Sequence, residues 1–149
     1  MRILFTLAVV SCVACQPSEP AVNQNTLTGS YRLLESTTIK GKDTLFNKVD
    51  TTKTEMIKMF NESHFSFTNH DRSKGVDSTA LFVSGAGRYF RDGDKYTELL
   101  DFCSYRPWEG KQFEFTLEIK GDTLVQHGVE EIPELGVKQH ITEKYIKLR

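Results

Sequence analysis

From residue 26 onward the chain alternates apolar and polar residues with a period of two, in short runs separated by turn residues. The stretch "QFEFTLEIKGDTLVQHGV" is the clearest case. Phe113, Phe115, Leu117 and Ile119 face one way, Gln112, Glu114, Thr116 and Glu118 the other, and "KGDT" makes a tight turn into the next run. This predicts a hairpin with one solvated face. "GRYFRDGDKYTELLDF" repeats the design around Asp92, Gly93 and Asp94, and "EMIKMFNESHFSFTN" predicts a third hairpin turning at Asn61 to Ser63. With "GSYRLLEST", "TALFVSG" and "KQHITEKYIKL" added, the chain holds about eight to ten strands. "SGAG", Ser84 to Gly87, reads as a bend or bulge, and "VEEIPELG", Val129 to Gly136, as a long loop. No sustained stripe of period 3.6 occurs in this part, so the predicted class is all-β, an antiparallel barrel or a sandwich. Closure removes exposed edges and favours the barrel.

Residues 1–25 break the pattern. "MRILFTLAVVSCVAC" has Arg2, an apolar run from Ile3 to Val10, then small residues and cysteines; it is too short to span a bilayer and reads as an export signal. The stretch resembles a bacterial lipoprotein signal, in which an apolar run and small residues precede a lipid-modified cysteine. Cys12, after "VVS", fits the lipobox at every position but leaves a very short signal. Cys15, after "CVA", departs at the first position but gives a more usable signal length and a better junction with "QPSEP". Cys15 is the expected lipid site and Cys12 the alternative. Residues 1–14 are then the signal peptide and 15–25 a lipid-anchored tether, whose "QPSEPAVNQN" lacks aromatics and periodicity. Its ten residues reach at most about 35 Å. Gln16, in place of Asp, favours the outer membrane by the same resemblance, with the domain at the periplasmic face. Cys103 is left without an intrachain disulfide partner.

Residues 26–149 suffice for one core. With 19 basic and 20 acidic side chains and no long run of one sign, the 149-residue sequence has no electrostatic footprint for nucleic acid.

"LTGSYRLLES" and the closing "TEKYIKLR" resemble the first and last strands of lipocalin-like domains, in particular small bacterial lipoproteins of uncharacterised function. Lipocalins carry Gly-x-Trp on the opening strand and a basic residue on the closing strand that packs over the tryptophan. Gly29 matches the glycine, Tyr31 stands at the tryptophan position, and Lys147 or Arg149 is placed to supply the cation. The resemblance implies a lipocalin-like barrel over the domain.

One residue is misplaced in this scheme. In "KYTELLDF", Tyr96, Leu100 and Phe102 alternate onto an apolar face, and Glu98 falls on that same face. The last strand mirrors this with Glu143 and Tyr145, and Tyr31, Leu33 and Glu35 repeat it loosely at the start. First and last strands are neighbours in a closed barrel, so tyrosines and carboxylates are expected to converge inside. Two accounts stand: a structural one, in which the glutamates pair with buried arginines, Arg32 or Arg88, or sit at the wet mouth of the barrel, and service as polar anchors of an otherwise aromatic ligand pocket. In the second account Tyr31, Tyr96, Phe102, Phe113, Phe115 and Tyr145 form the walls, and Glu98 and Glu143 orient a ligand bearing a hydroxyl or amine.

Other chemistry is sparse. His64 and His70 lie about 20 Å apart on one strand, too far for a shared metal ion, and His127 and His140 stand alone. Cys103 reads as a packing residue, no phosphate loop or serine-hydrolase motif occurs, and no cofactor or metal is expected. "SYRPWEGK" concentrates Tyr105, Arg106, Trp108 and Glu109 in one turn, as a cap on the core, a lid or a partner contact. The expectation is a non-enzymatic, lipid-anchored envelope protein whose barrel binds a small apolar or amphiphilic ligand. The main alternative is a protein-interaction module with a filled core that uses the Trp108 loop. An enzyme using inward carboxylates is third.

Overall fold

The computed structural model describes residues 27–76 and 78–149. The signal, both candidate lipid cysteines and the tether lie outside the described residues. The alternating runs form nine strands: β1 (Gly29–Lys40), β2 (Asp43–Lys48), β3 (Thr54–Phe60), β4 (His64–Asp71), β5 (Phe82–Asp92), β6 (Lys95–Cys103), β7 (Lys111–Lys120), β8 (Thr123–Ile132) and β9 (Val137–Lys147). All pairings are antiparallel. β1 pairs with β9 along one edge and with β3 along the other, so β1 and β3 to β9 close into an eight-stranded barrel. β2 is the extra strand. It takes over the edge of β1 from Glu35 to Lys40, past the Gly29–Arg32 stretch that pairs with β3, and it is exposed throughout.

The expected hairpins are all present. At Gly93 and Gly121 the two-residue turns carry φ of +62° and +59°, a backbone that glycine reaches without a steric penalty and that suits the right-handed twist of the flanking strands. These turns lie at one end of the barrel, with the Asn61–Ser63 turn. The opposite end carries the longer connections 72–81 and 104–110, and a 3-10 turn at Pro133–Leu135.

Three expectations are corrected. "VEEIPELG" is mostly strand: Glu130 and Glu131 pair with Gln139 and Lys138 and extend β8 to Ile132. Phe102 is 68% exposed. Between the pairs Ala86↔Phe102 and Arg88↔Leu99, β6 places Leu100 and Asp101 opposite Gly87 alone; this bulge reverses the alternation, turning Phe102 out and Cys103 in. The bulge explains the glycine, since a Cβ on Gly87 would stand 1.8 Å from the Leu99 carbonyl oxygen. The "SGAG" segment therefore does face a bulge. A second register shift, between Leu33 and Glu35, turns Glu35 outward to an ion pair with Lys144 at 3.3 Å.

The turn-bearing end is plugged. Phe60 packs edge-on against Tyr31, Tyr89 and Tyr96 with centroids 5.7, 5.6 and 6.2 Å away, and Tyr96 stacks on Phe115 at 6.3 Å. Leu27 is fully buried, and the Tyr89 hydroxyl donates to the Asn61 carbonyl at 2.8 Å. Of the two cations expected over Tyr31, Lys147 supplies it, 5.7 Å from the ring centroid, whereas Arg149 pairs with Asp122 at 2.7 Å.

Candidate ligand-binding site

Above the plug the interior becomes polar. On β3 the alternation places Met56, Lys58 and Phe60 inward, and Lys58, 3% exposed, reaches across the barrel. Its ammonium forms an ion pair with Glu98 and donates to Gln126 Oε1 at 2.9 Å, surrounded by the rings of Phe65, Phe60 and Tyr96 at 5.2 to 5.6 Å. Glu98 also accepts from the Tyr96 hydroxyl at 2.8 Å. Such a pair endures in a low-dielectric interior only when its remaining polar sites are satisfied as well. On β9, Tyr145 donates to Glu143 at 2.7 Å, beside Gln126 across the ladder. Desolvation, then the neighbouring carboxylates, hold the Tyr96 and Tyr145 hydroxyls well above the ordinary phenol range.

Glu98 therefore has its partner within the chain, and the partner is a lysine. Neither arginine fills that role. Arg88 grips Asp101 outside the barrel at 2.9 and 3.0 Å, and Arg32 faces Glu55 at 3.6 Å. Lys58 was hidden in the sequence because "TEMIKMF" has apolar residues on both faces, Met56 and Phe60 on one, Ile57 and Met59 on the other. The available signal was a lysine in register with Phe60, the same misfit that singled out Glu98.

The open end holds a cavity of about 380 Å³. Phe67, Val83, Leu100, Trp108 and Phe113 wall it, and Glu98 and Glu130 supply its charged lining. Trp108 stands on a short 3-10 turn, Arg106–Trp108, and packs on Phe113 with centroids 5.5 Å apart. That loop is pinned inward: Glu109 accepts from the Cys103 amide at 3.0 Å and from Arg106 at 2.8 Å, which holds its carboxyl below the usual carboxylate range, and Gly110 donates to the Leu100 carbonyl at 2.8 Å. On the other rim Asp71 accepts from Ser73, Gly75 and Leu81 at 2.6 to 2.9 Å, so its carboxyl lies far below the usual range and ties these three residues to the end of β4. Lys111 and Glu134 form an ion pair between the third connection and β7.

Glu130 is the unusual group of this cavity. Among the described residues Gln139, directly across the ladder, is its hydrogen-bond partner at 2.7 Å, and none forms an ion pair with it. Desolvation, helped by Glu143 and Glu98 and opposed by Gln139 and Lys58, raises it to about 7. Glu143 is raised for the same first reason.

Of the residues expected to form the site, the structure brings Glu98, Phe113, Trp108 and Tyr105 to the cavity. Tyr31, Tyr96, Phe115 and Tyr145 are buried below it, Phe102 lies outside, and Glu143 belongs to the polar layer beside Gln126. Arg106 is 79% exposed. Glu130 was missed because the stretch around it looked like a loop. His127 and His140 do not stand alone: their rings lie 6.3 Å apart on neighbouring strands, with His127 3.5 Å from Glu118. Among the described residues no three His, Cys, Asp or Glu side chains gather as a metal site, and Cys103 is a buried free thiol at the cavity wall.

No protein-family model and no curated protein matches the chain. A crystal structure of an uncharacterised protein from Bacteroides eggerthii is similar, with 13% sequence identity and a TM-score of 0.49, over 81% of this chain and 98% of that one.

Proposed function

We propose that the protein binds a small apolar or amphiphilic ligand in the open end of its barrel, and that it works in the cell envelope, held at the outer membrane by lipid on Cys15 or Cys12. The observation that carries the binding reading is the cavity of about 380 Å³, apolar on its walls and carboxylate-bearing on its inner side. Its size lies in the range of small-molecule sites, and its few polar groups are of the kind that orient a ligand. The mechanism is reversible binding with no covalent step: Phe67, Trp108 and Phe113 shield the apolar part of the ligand, and the inner carboxylates receive its polar end. The envelope location rests on the signal-like N-terminus, and intact-mass measurement of the exported protein identifies the lipid and its cysteine.

A second reading is a protein-interaction module, favoured by one feature of the outer surface. Met59, Ser66, Ala86 and Phe102 align across four neighbouring strands, so two exposed apolar side chains flank a shallow floor of small residues. Native mass spectrometry of protein purified from its own envelope separates the readings. A co-purifying small molecule supports ligand binding; a bare chain with a stoichiometric protein partner supports the second reading and sinks the first.

A further inference from the structure

The charge inside the barrel is unbalanced, and the imbalance selects a class of ligand. Three carboxylates, Glu98, Glu130 and Glu143, share the interior with Lys58, and Lys58 is already engaged by Glu98 and Gln126. Among the described residues the cavity lining contains no lysine, arginine or histidine. An anionic head group entering it would meet two carboxylates and no free donor cation, while a neutral ligand would leave Glu130 without a counterion. Aromatic faces add to the bias, because Trp108 and Phe113 stand at the same cavity and ring faces attract cations.

We infer that the ligand is an amine cation on an apolar body, with its nitrogen received by Glu130 and its body held between Phe67, Trp108 and Phe113. This rests on the binding reading above and deepens it. Lys58 has a defined part in the selectivity: it occupies Glu98, so Glu130 is the carboxylate left for a ligand at the cavity. The groups that face Glu130 are Gln139, Glu143 and the Tyr145 hydroxyl from β9, Glu98 from β6 and Lys58 from β3, while Phe113 of β7, Phe67 of β4 and Val83 of β5 present apolar surface to the cavity.

The test is calorimetric titration of the purified protein with three probes that share one tail: octylamine, octanol and octanoate. At pH 8 octylamine should bind about tenfold more tightly than octanol, the size expected for a charge-assisted hydrogen bond, and octanoate should bind most weakly. Glu130→Gln should bring the ratio of octylamine to octanol affinity near one. Independently of any variant, the same ratio in the unaltered protein should collapse between pH 8 and pH 5, as Glu130 takes up a proton. Octanol or octanoate binding as tightly as octylamine at pH 8 overturns the amine inference and leaves the binding reading intact. So does a ratio that neither Glu130→Gln nor acid changes. If none of the three probes binds, the binding reading falls, and the amine inference with it.

Discussion

The two ends of the barrel are built from the same alternating strands and reach opposite outcomes. At the turn-bearing end, short connections keep the strand ends close, and Phe60 meets Tyr31, Tyr89 and Tyr96 edge to face while Tyr96 stacks on Phe115. At the other end, longer connections and the pinned Trp108 loop hold the rim apart, and the inward positions there include Glu130 and Gln139. Between them lies the Lys58, Glu98 and Gln126 layer, which closes the plug from above and forms part of the cavity's inner side. Aromatic packing is thus concentrated at one end and the cavity with its unpaired carboxylate at the other, the division that the proposed binding role requires.

Truncating the plug should have the largest effect. Phe60→Ala removes a ring that touches three others and should lower unfolding free energy by ~4 kcal/mol in urea denaturation, whereas Trp108→Ala, a larger truncation at the open end, should cost only ~1–2 kcal/mol because that ring is half-buried. Equal losses would show that the two ends are not energetically distinct. Next comes the layer between them: Lys58→Met leaves Glu98 buried without a cation and should cost ~3 kcal/mol, and adding Glu98→Leu should bring the double variant back to within ~1 kcal/mol of the parent. A double variant no more stable than the single one would mean that Lys58 is needed for packing and not for charge.

The open end should betray itself through pH. Glu130 has a folded-state value of about 7 against 4.5 for the free side chain. Between those values the folded protein binds more protons than the unfolded one, so stability falls as pH rises through the window and levels off above it. Glu143 is displaced in the same direction and adds to the slope. Glu130→Gln should therefore stabilise the protein by ~1–2 kcal/mol at pH 8 and by nothing at pH 4, read as the difference between two thermal-unfolding series. A difference independent of pH would place Glu130 in contact with water or a cation. The smallest effect belongs to the rim of the plug, where Lys147→Ala removes the cation over Tyr31 and should cost ~0.5–1 kcal/mol in the same urea assay, since the site is exposed.

Much of this architecture was legible in the chain. Period-two alternation with glycine turns specifies strands and hairpins locally, which is why β3 with β4, β5 with β6 and β7 with β8 lie where the pattern put them. Glu98 was legible too, as a carboxylate in register with Tyr96 and Leu100. The pattern could not reveal where the alternation slips. The bulge opposite Gly87 reversed Phe102, and the one after Leu33 reversed Glu35, because a single inserted residue exchanges the two faces and leaves no compositional mark. Nor could it choose the partner of Glu98. Alternation says which side of its own strand a residue occupies; closure of the barrel decides which side chains from distant strands meet there, and it brought Lys58 from forty residues away in preference to either arginine. Sequence thus determined the strands, the turns and the presence of polar groups inside, since these are local properties of the chain. Tertiary structure alone decided which carboxylate was neutralised and which was left facing a cavity, because pairing in the interior depends on distances that only the closed sheet sets.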